Sequence, residues 1–243
     1  KMLKINIKKY FIMKKIIIIG AGAMGSAFTV PCLENKNEVT LIGTHLEDEL
    51  INNIQLNKNF HPALNIELPA KLKVEKYERL KSILEGGVDI IVAGVSSIGI
   101  AWFVDQIAKN YKKNLPIILL TKGLAIEDNE LITLSDKIKK LLYQKGHEEV
   151  NVSAIKGPCL AAGLANKMRT GTVIANPNIK EAQNLKKIVS TEYYSTEISD
   201  DLTGIELSGA IKNIYSMLIG ASKGLSNSKA PKEIQSKYYL NTS

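Results

Sequence analysis

Residues 15–25 read KIIIIGAGAMG, and the fold is decided there. Four successive isoleucines leave no polar face, which suits a strand buried on both sides within a parallel sheet. Gly20, Gly22 and Gly25 match the spacing G-x-G-x-x-G. In that pattern the first glycine permits a tight turn and the second lets backbone approach a pyrophosphate. The third lets helix and strand pack closely. A helix from about Ala23 to Glu34 then offers free N–H groups to phosphate oxygens. Pro31 is a point where that helix is expected to kink or end.

Working outward, Val39 to Ile42, residues 89–94, 116–121, 150–155 and 172–176 read as further strands. Helical patterns fall at 47–56, 99–112 and 130–145, and in ERLKSILEGG with its glycine stop. Residues 60–69, with Pro62 and Pro69, read as irregular. Strands alternating with helices predict an α/β fold, a Rossmann-type doubly wound parallel sheet. From Asp200 the character changes. Residues 200–225 carry one long helical pattern, opened by Asp200 or Asp201 as a cap. The expected organisation is an N-terminal extension at 1–12, a nucleotide-binding domain at 13–198 and the beginning of an all-helical domain at 199–243. Met13 reads as a natural start. The basic tail before it leads into too short an apolar run for a secretory signal.

The composition is that of an ordinary globular protein. Of 243 residues, 45% are hydrophobic and 23% charged. Two cysteines, Cys32 and Cys159, cannot build a disulfide framework and fit a reducing compartment. No apolar run reaches membrane-spanning length. The net charge of +8 invites an anionic partner. However, the lysines are spread along the chain, no nucleic-acid motif is present, and 6% aromatics argue against a base-stacking surface. The charge therefore reads chiefly as a solvated lysine-rich surface, with no nucleic-acid partner.

Four further segments carry chemistry. The end of the second strand reads LIGTHLEDE. A carboxylate expected there for NAD is absent from Gly43, Thr44 and His45. Glu47 and Asp48 read as first-turn helix residues, so NAD versus NADP stays open, leaning toward tolerance of NADP. TKGL at 121–124 sets Lys122 beyond a strand's carboxyl end, where open α/β sheets bind ligands. KGPCLAAGLANK at 156–167 is a small-residue loop in which Cys159 reads as a lining residue, since no Cys–His pairing is evident. In GIELSGAIKNIYSMLIGAS, Lys212 is the sole formal charge between Leu207 and Ser222. Ser208 and Ser216 share its face, Gly209 leaves space beside it, and a lysine beside a carbonyl substrate can give and take a proton.

GAGAMG, FHPALNIELP, TKGL, GPCLA and GIELSGAIKNI, in that order, resemble NAD(P)-dependent sn-glycerol-3-phosphate dehydrogenase from about Met13 to Leu225. The resemblance implies a cytoplasmic oxidoreductase with NAD or NADP and a small phosphorylated substrate. It implies no membrane span, no metal, and a homodimer as the assembly. Lys212 and Lys122 match its catalytic lysines. Lys122, Gly157, Cys159 and Asn213 match substrate contacts. Gly20, Gly22, Ala23, Met24, Gly25, Thr44, His45, Lys122 and Ala161 fall at cofactor positions. Cys159 stands where many members have Ser, Gly163 where Glu is common, and Ser216 where a small apolar residue is usual. The family's helical domain continues past residue 243, and its phosphate-gripping Asp and Arg-Asn motif would lie there. A ketopantoate reductase-like enzyme is the nearest alternative, and a non-catalytic dinucleotide-binding fragment the next.

Overall fold

A computed structural model describes residues 13–226; the expected extension at 1–12 and residues 227–243 lie outside them. Strand β1 (Lys15–Ile19) and helix α1 (Ala23–Glu34) flank the glycine loop. Then come β2 (Glu38–Ile42), α2 (Asp48–Leu56), the hairpin β3 (Phe60–His61) and β4 (Ile66–Glu67), and β5 (Lys73–Glu75). A 3-10 turn at Tyr77–Arg79 leads to α3 (Leu80–Glu85), β6 (Ile90–Ala93), α4 (Ile100–Ala108) and β7 (Ile117–Leu119). A second hairpin, β8 (Leu124–Glu127) and β9 (Glu130–Thr133), precedes α5 (Leu134–Gln144) and β10 (Val152–Lys156). The chain closes with α6 (Ala161–Ala165), β11 (Thr170–Ala175), α7 (Ile179–Val189), β12 (Tyr194–Ser199) and α8 (Leu202–Ser226).

Eight strands form one sheet in the order β12-β11-β10-β7-β6-β1-β2-β5. β1 pairs in parallel with β2 on one side and β6 on the other. This central place is why its isoleucines are uniformly apolar. Side chains alternate across a strand, so Ile16 and Ile18 join the core layer containing Phe28 of α1, while Ile17 and Ile19 join the layer containing Phe103 of α4. Helices on both faces thus bury the sheet twice, as the doubly wound reading requires.

Several local expectations need correction. The sheet is mixed, because β10 and β11 run antiparallel. The connection between them contains only the short α6, which packs against α1, so no crossover returns the chain in parallel. The helix expected from Ala23 to Glu34 stands, with Pro31 inside it; Phe28, Val30 and Cys32 are buried around the proline, and that packing outweighs one missing N–H bond. Residues 130–133 are strand, not helix, because Asp128 and Asn129 adopt left-handed φ of 51° and 62° and turn β8 back on β9. The 60–69 segment is a small hairpin around Asn65 at φ 54°.

Among the described residues, no helix is long and apolar enough to cross a membrane. α8 has an apolar exposed side, with Ile214 at 53%, Tyr215 at 60% and Met217 at 66% exposure. Its first turns are different: Leu202 is buried against Ala154 and Ala175.

Candidate active site

The three loop glycines differ in what surrounds them. Gly20 has φ +109°, and a Cβ there would stand 2.7 Å from the backbone of Gly94. A Cβ on Gly25 would stand 2.2 Å from the Gly20 carbonyl oxygen. A Cβ on Gly22 would meet nothing within 4 Å among the described residues. The first and third are therefore dictated by the fold's own backbone, and the second opens outward. α1 begins there with no side-chain cap and no acidic residue in its first turn. Among the described residues no group accepts from the N–H of Ala23, Met24 or Gly25. Free N–H groups at a helix start, beside an open glycine, fit a pyrophosphate.

Neighbouring segments lock the loop. The Ala21 N–H donates to Glu47 Oε2 at 3.0 Å, and the same oxygen accepts from Thr44 N–H at 2.8 Å. His61, almost fully buried, donates from Nε2 to the Ala21 carbonyl at 3.0 Å, with Nδ1 accepting from Leu64 N–H at 3.3 Å. The FHPALN segment thus serves the glycine loop from a distance. His45, beyond β2, is exposed, and its ring lies 5.0 Å from that of Trp102 and 6.3 Å from that of Tyr77. Thr44 is thereby tied to the glycine loop through Glu47, and His45 packs beside Trp102 and Tyr77.

A crevice separates Met24 and Phe28 of α1 from Lys122, Lys156, Gly157 and Cys159 at the carboxyl ends of β7 and β10. Burial is the main cause that lowers the Lys122 pKa, and the nearby positive Lys212 lowers it further. Lys212 is half-buried, one turn past Gly209 on α8. Lys156 lies 4% exposed, and its Nζ donates to the carbonyl oxygens of Leu119, at 3.2 Å, and of Thr121. Burial pulls its pKa down to about 8, Glu206 opposes the fall, and Lys122 adds to it. Glu206 is itself 1% exposed, with Oε1 accepting from Ser135 N–H at 3.2 Å and Oε2 lacking a partner among the described residues. Burial pushes the Cys159 thiol up, which suits a lining residue better than a nucleophile.

One expectation at α8 changes. The space beside Gly209 belongs to the Lys156 stem, because a Cβ on Gly209 would meet Lys156 Cγ and Cδ at 3.3 Å. Ser208 and Ser216 are exposed, and Ser216 Oγ donates to the Lys212 carbonyl at 3.3 Å, so neither serine engages the lysine's amine. Asn213 sits in α8, and its side chain lies outside the described residues. Ala161 opens α6 and packs half-buried, with Met24, against the same core layer. Sequence reading passed over Lys156, Glu206, His61 and the bonding of Glu47. A signal for Lys156 was present: it ends the otherwise fully buried strand VSAIK, and a lysine in that position needs a buried role.

The Lys156 shift has a testable sign. Its folded pKa of about 8 lies below the unfolded value of about 10.4. Between these the unfolded chain binds more protons, so stability rises with pH. Urea unfolding of the wild type and Lys156→Met from pH 7 to 10 should show the wild type gaining up to about 3 kcal/mol relative to the variant. Parallel profiles would remove Lys156 as the source.

A family model described as "NAD-dependent glycerol-3-phosphate dehydrogenase N-terminus" matches residues 15–182. The chain belongs to this family. The match contains the glycine loop, Lys122, Gly157 and Cys159; Lys212 lies beyond it. Among curated relatives of this glycerol-3-phosphate dehydrogenase family, an NADP(+)-dependent glycerol-3-phosphate dehydrogenase of Archaeoglobus fulgidus is 34% identical over 88% of this chain and 62% of its own length. A glycerol-3-phosphate dehydrogenase [NAD(P)+] of Mesoplasma florum is 32% identical over 82% of this chain and 58% of its own. The chain thus spans about three fifths of these relatives. A solved glycerol-3-phosphate dehydrogenase of Coxiella burnetii has the same fold, with a TM-score of 0.76 at 23% identity over 95% of this chain and 66% of that one. A ketopantoate reductase from Ralstonia eutropha is more distant in fold, at 0.56 and 17% over 85% of this chain and 62% of that one.

Proposed function

We propose that the chain belongs to an enzyme interconverting sn-glycerol 3-phosphate and dihydroxyacetone phosphate, with NAD or NADP as hydride carrier. The supporting observation is that Lys122 and Lys156 line a crevice facing Met24, next to the open, anion-ready glycine loop, with Lys212 near enough for its charge to be felt at Lys122. Lysines this close disfavour one another's charge, and a phosphorylated substrate relieves that repulsion. The family membership and the named relatives point the same way.

Ala23, Met24 and Gly25 would hold the pyrophosphate through their N–H groups, and Gly22 would admit it. The chemistry supplied by a bound reduced nicotinamide is a hydride, delivered to the substrate carbonyl carbon. Lys212 is the proton donor in this reading: its ammonium protonates the developing alkoxide, and the resulting amine regains a proton from solvent. In the reverse direction the amine takes the hydroxyl proton. Lys122 neutralises charge on the bound phosphate ester and oxyanion, and Gly157 and Cys159 wall the substrate. Lys156, held by two carbonyls, supports the strand ends that present Lys122. In this reading Asn213 adds a polar contact and α8 opens a helical substrate domain from about residue 199. The two free, buried cysteines, Cys32 and Cys159, support a cytoplasmic setting.

The test is loss of reduced-nicotinamide absorbance on adding dihydroxyacetone phosphate, with NADH and with NADPH. Turnover with that ketone, and none with ketopantoate, is the expected outcome. Turnover of ketopantoate alone would replace this reading with the reductase alternative.

A further inference from the structure

Glu47 is not an ordinary first-turn residue. Its Oε2 accepts from the N–H of Ala21, in the loop after β1, and from the N–H of Thr44, in the loop after β2. The carboxylate therefore ties together the loops at these two carboxyl-terminal strand ends. In dinucleotide-binding folds, that is where an acidic side chain takes the adenosine ribose, usually from the end of the second strand itself. Here the strand end carries Gly43, Thr44 and His45, and the acid reaches back from the start of α2.

Both bonds fall on one oxygen. Oε1 has no partner among the described residues and is not among the buried unpartnered atoms. It is a free, solvent-reached acceptor. Glu47 also makes no ion pair among the described residues, and neither does its neighbour Asp48, whose Oδ1 is buried without a partner. A 2′-hydroxyl would donate to such a carboxylate. A 2′-phosphate would meet the Glu47 carboxylate, which no cation pairs among the described residues.

We infer that Glu47 reads the adenosine ribose and makes this chain select NAD(H), with its free 2′-hydroxyl, over NADP(H). The inference rests on the nucleotide-binding reading of the glycine loop. It departs from the lean toward NADP that the bare strand end suggests, and it sets this chain apart from the Archaeoglobus fulgidus relative named as NADP(+)-dependent.

Trp102 is the chain's one tryptophan and lies beside His45, so its fluorescence reports binding without turnover. The full 243-residue chain is titrated with NADH and with NADPH, as wild type and as Glu47→Gln. The wild type should bind NADH at least about tenfold more tightly than NADPH, and in E47Q the ratio should fall to within about threefold, chiefly by a gain in NADPH affinity. Equal affinities in the wild type overturn the inference. So does an E47Q variant weakened equally for both nucleotides, which would make Glu47 a clamp for the loop only. Binding of neither nucleotide by the wild type overturns the underlying site reading as well. If E47Q does not fold, 2′-deoxy-NADH on the wild type decides. Weakening of about tenfold relative to NADH supports the inference, and equal binding overturns it.

Discussion

Lys212→Ala should lower turnover of dihydroxyacetone phosphate by about 10²- to 10⁴-fold, the range for removing a positioned proton donor, while leaving NADH affinity within about twofold. Both halves come from position. Lys212 sits on α8, which packs on β10, and its charge is felt by Lys122; Lys122 in turn lines the crevice that faces Met24 and Phe28 of α1. Its side chain is half-buried on a helix with an exposed apolar side, so alanine costs little stability. A variant that folds, binds NADH and does not turn over would mark Lys212 as the proton donor. Unchanged turnover would remove it from that role. Loss of NADH binding with turnover would mean that α8 carries part of the nucleotide site instead.

The second large effect separates two glycines three residues apart. Gly25→Ala places a methyl 2.2 Å from the Gly20 carbonyl oxygen. Both atoms belong to backbone in the centre of the fold, and neither can rotate away. A loss of about 3 kcal/mol or more is expected, read as a fall in the urea midpoint. Gly22→Ala meets no atom of the described residues within 4 Å, and its φ of −62° is ordinary for alanine. That variant should be as stable as the wild type or up to about 1 kcal/mol more stable. It should nevertheless bind NADH at least about tenfold more weakly, because the methyl fills the approach reserved for the pyrophosphate. Equal destabilisation by the two substitutions would mean that the loop's openness at Gly22 is not a ligand site. Normal NADH binding by Gly22→Ala would mean the same.

Much of the site was legible because its residues obey local rules. The glycine spacing is dictated by one turn and one helix start, and both follow in sequence from a uniformly apolar strand. Lys122 was found because it follows a strand's carboxyl end. Lys212 stood out as a single charge in an uncharged helix. These signals lie within about one turn or one strand of the residue concerned.

What was missed depends on segments far apart in the chain. Lys156 became a buried cation because the carbonyls of Leu119 and Thr121 and the carboxylate of Glu206 gather around it from other elements. Gly209 looked like space for a ligand until α8 was packed against the Lys156 stem. The antiparallel turn into β11 follows from where α6 finds its partner, on α1, and the five residues AAGLA do not announce that. Glu47 read as a helix-start acid because its neighbours in sequence make it one.

Short stretches of the chain therefore specify the doubly wound α/β fold, the glycine loop and the two lysines proposed to act on substrate. Periodicity and glycine geometry are properties of short stretches, and tertiary packing merely assembles them. Only the tertiary structure decided the mixed sheet, the burial of Lys156 beside Glu206, and the reach of Glu47 to the N–H of Ala21, 26 residues away. Those outcomes depend on which charged and polar atoms end up sharing one low-dielectric space, and contacts of that kind leave no periodic trace along the chain.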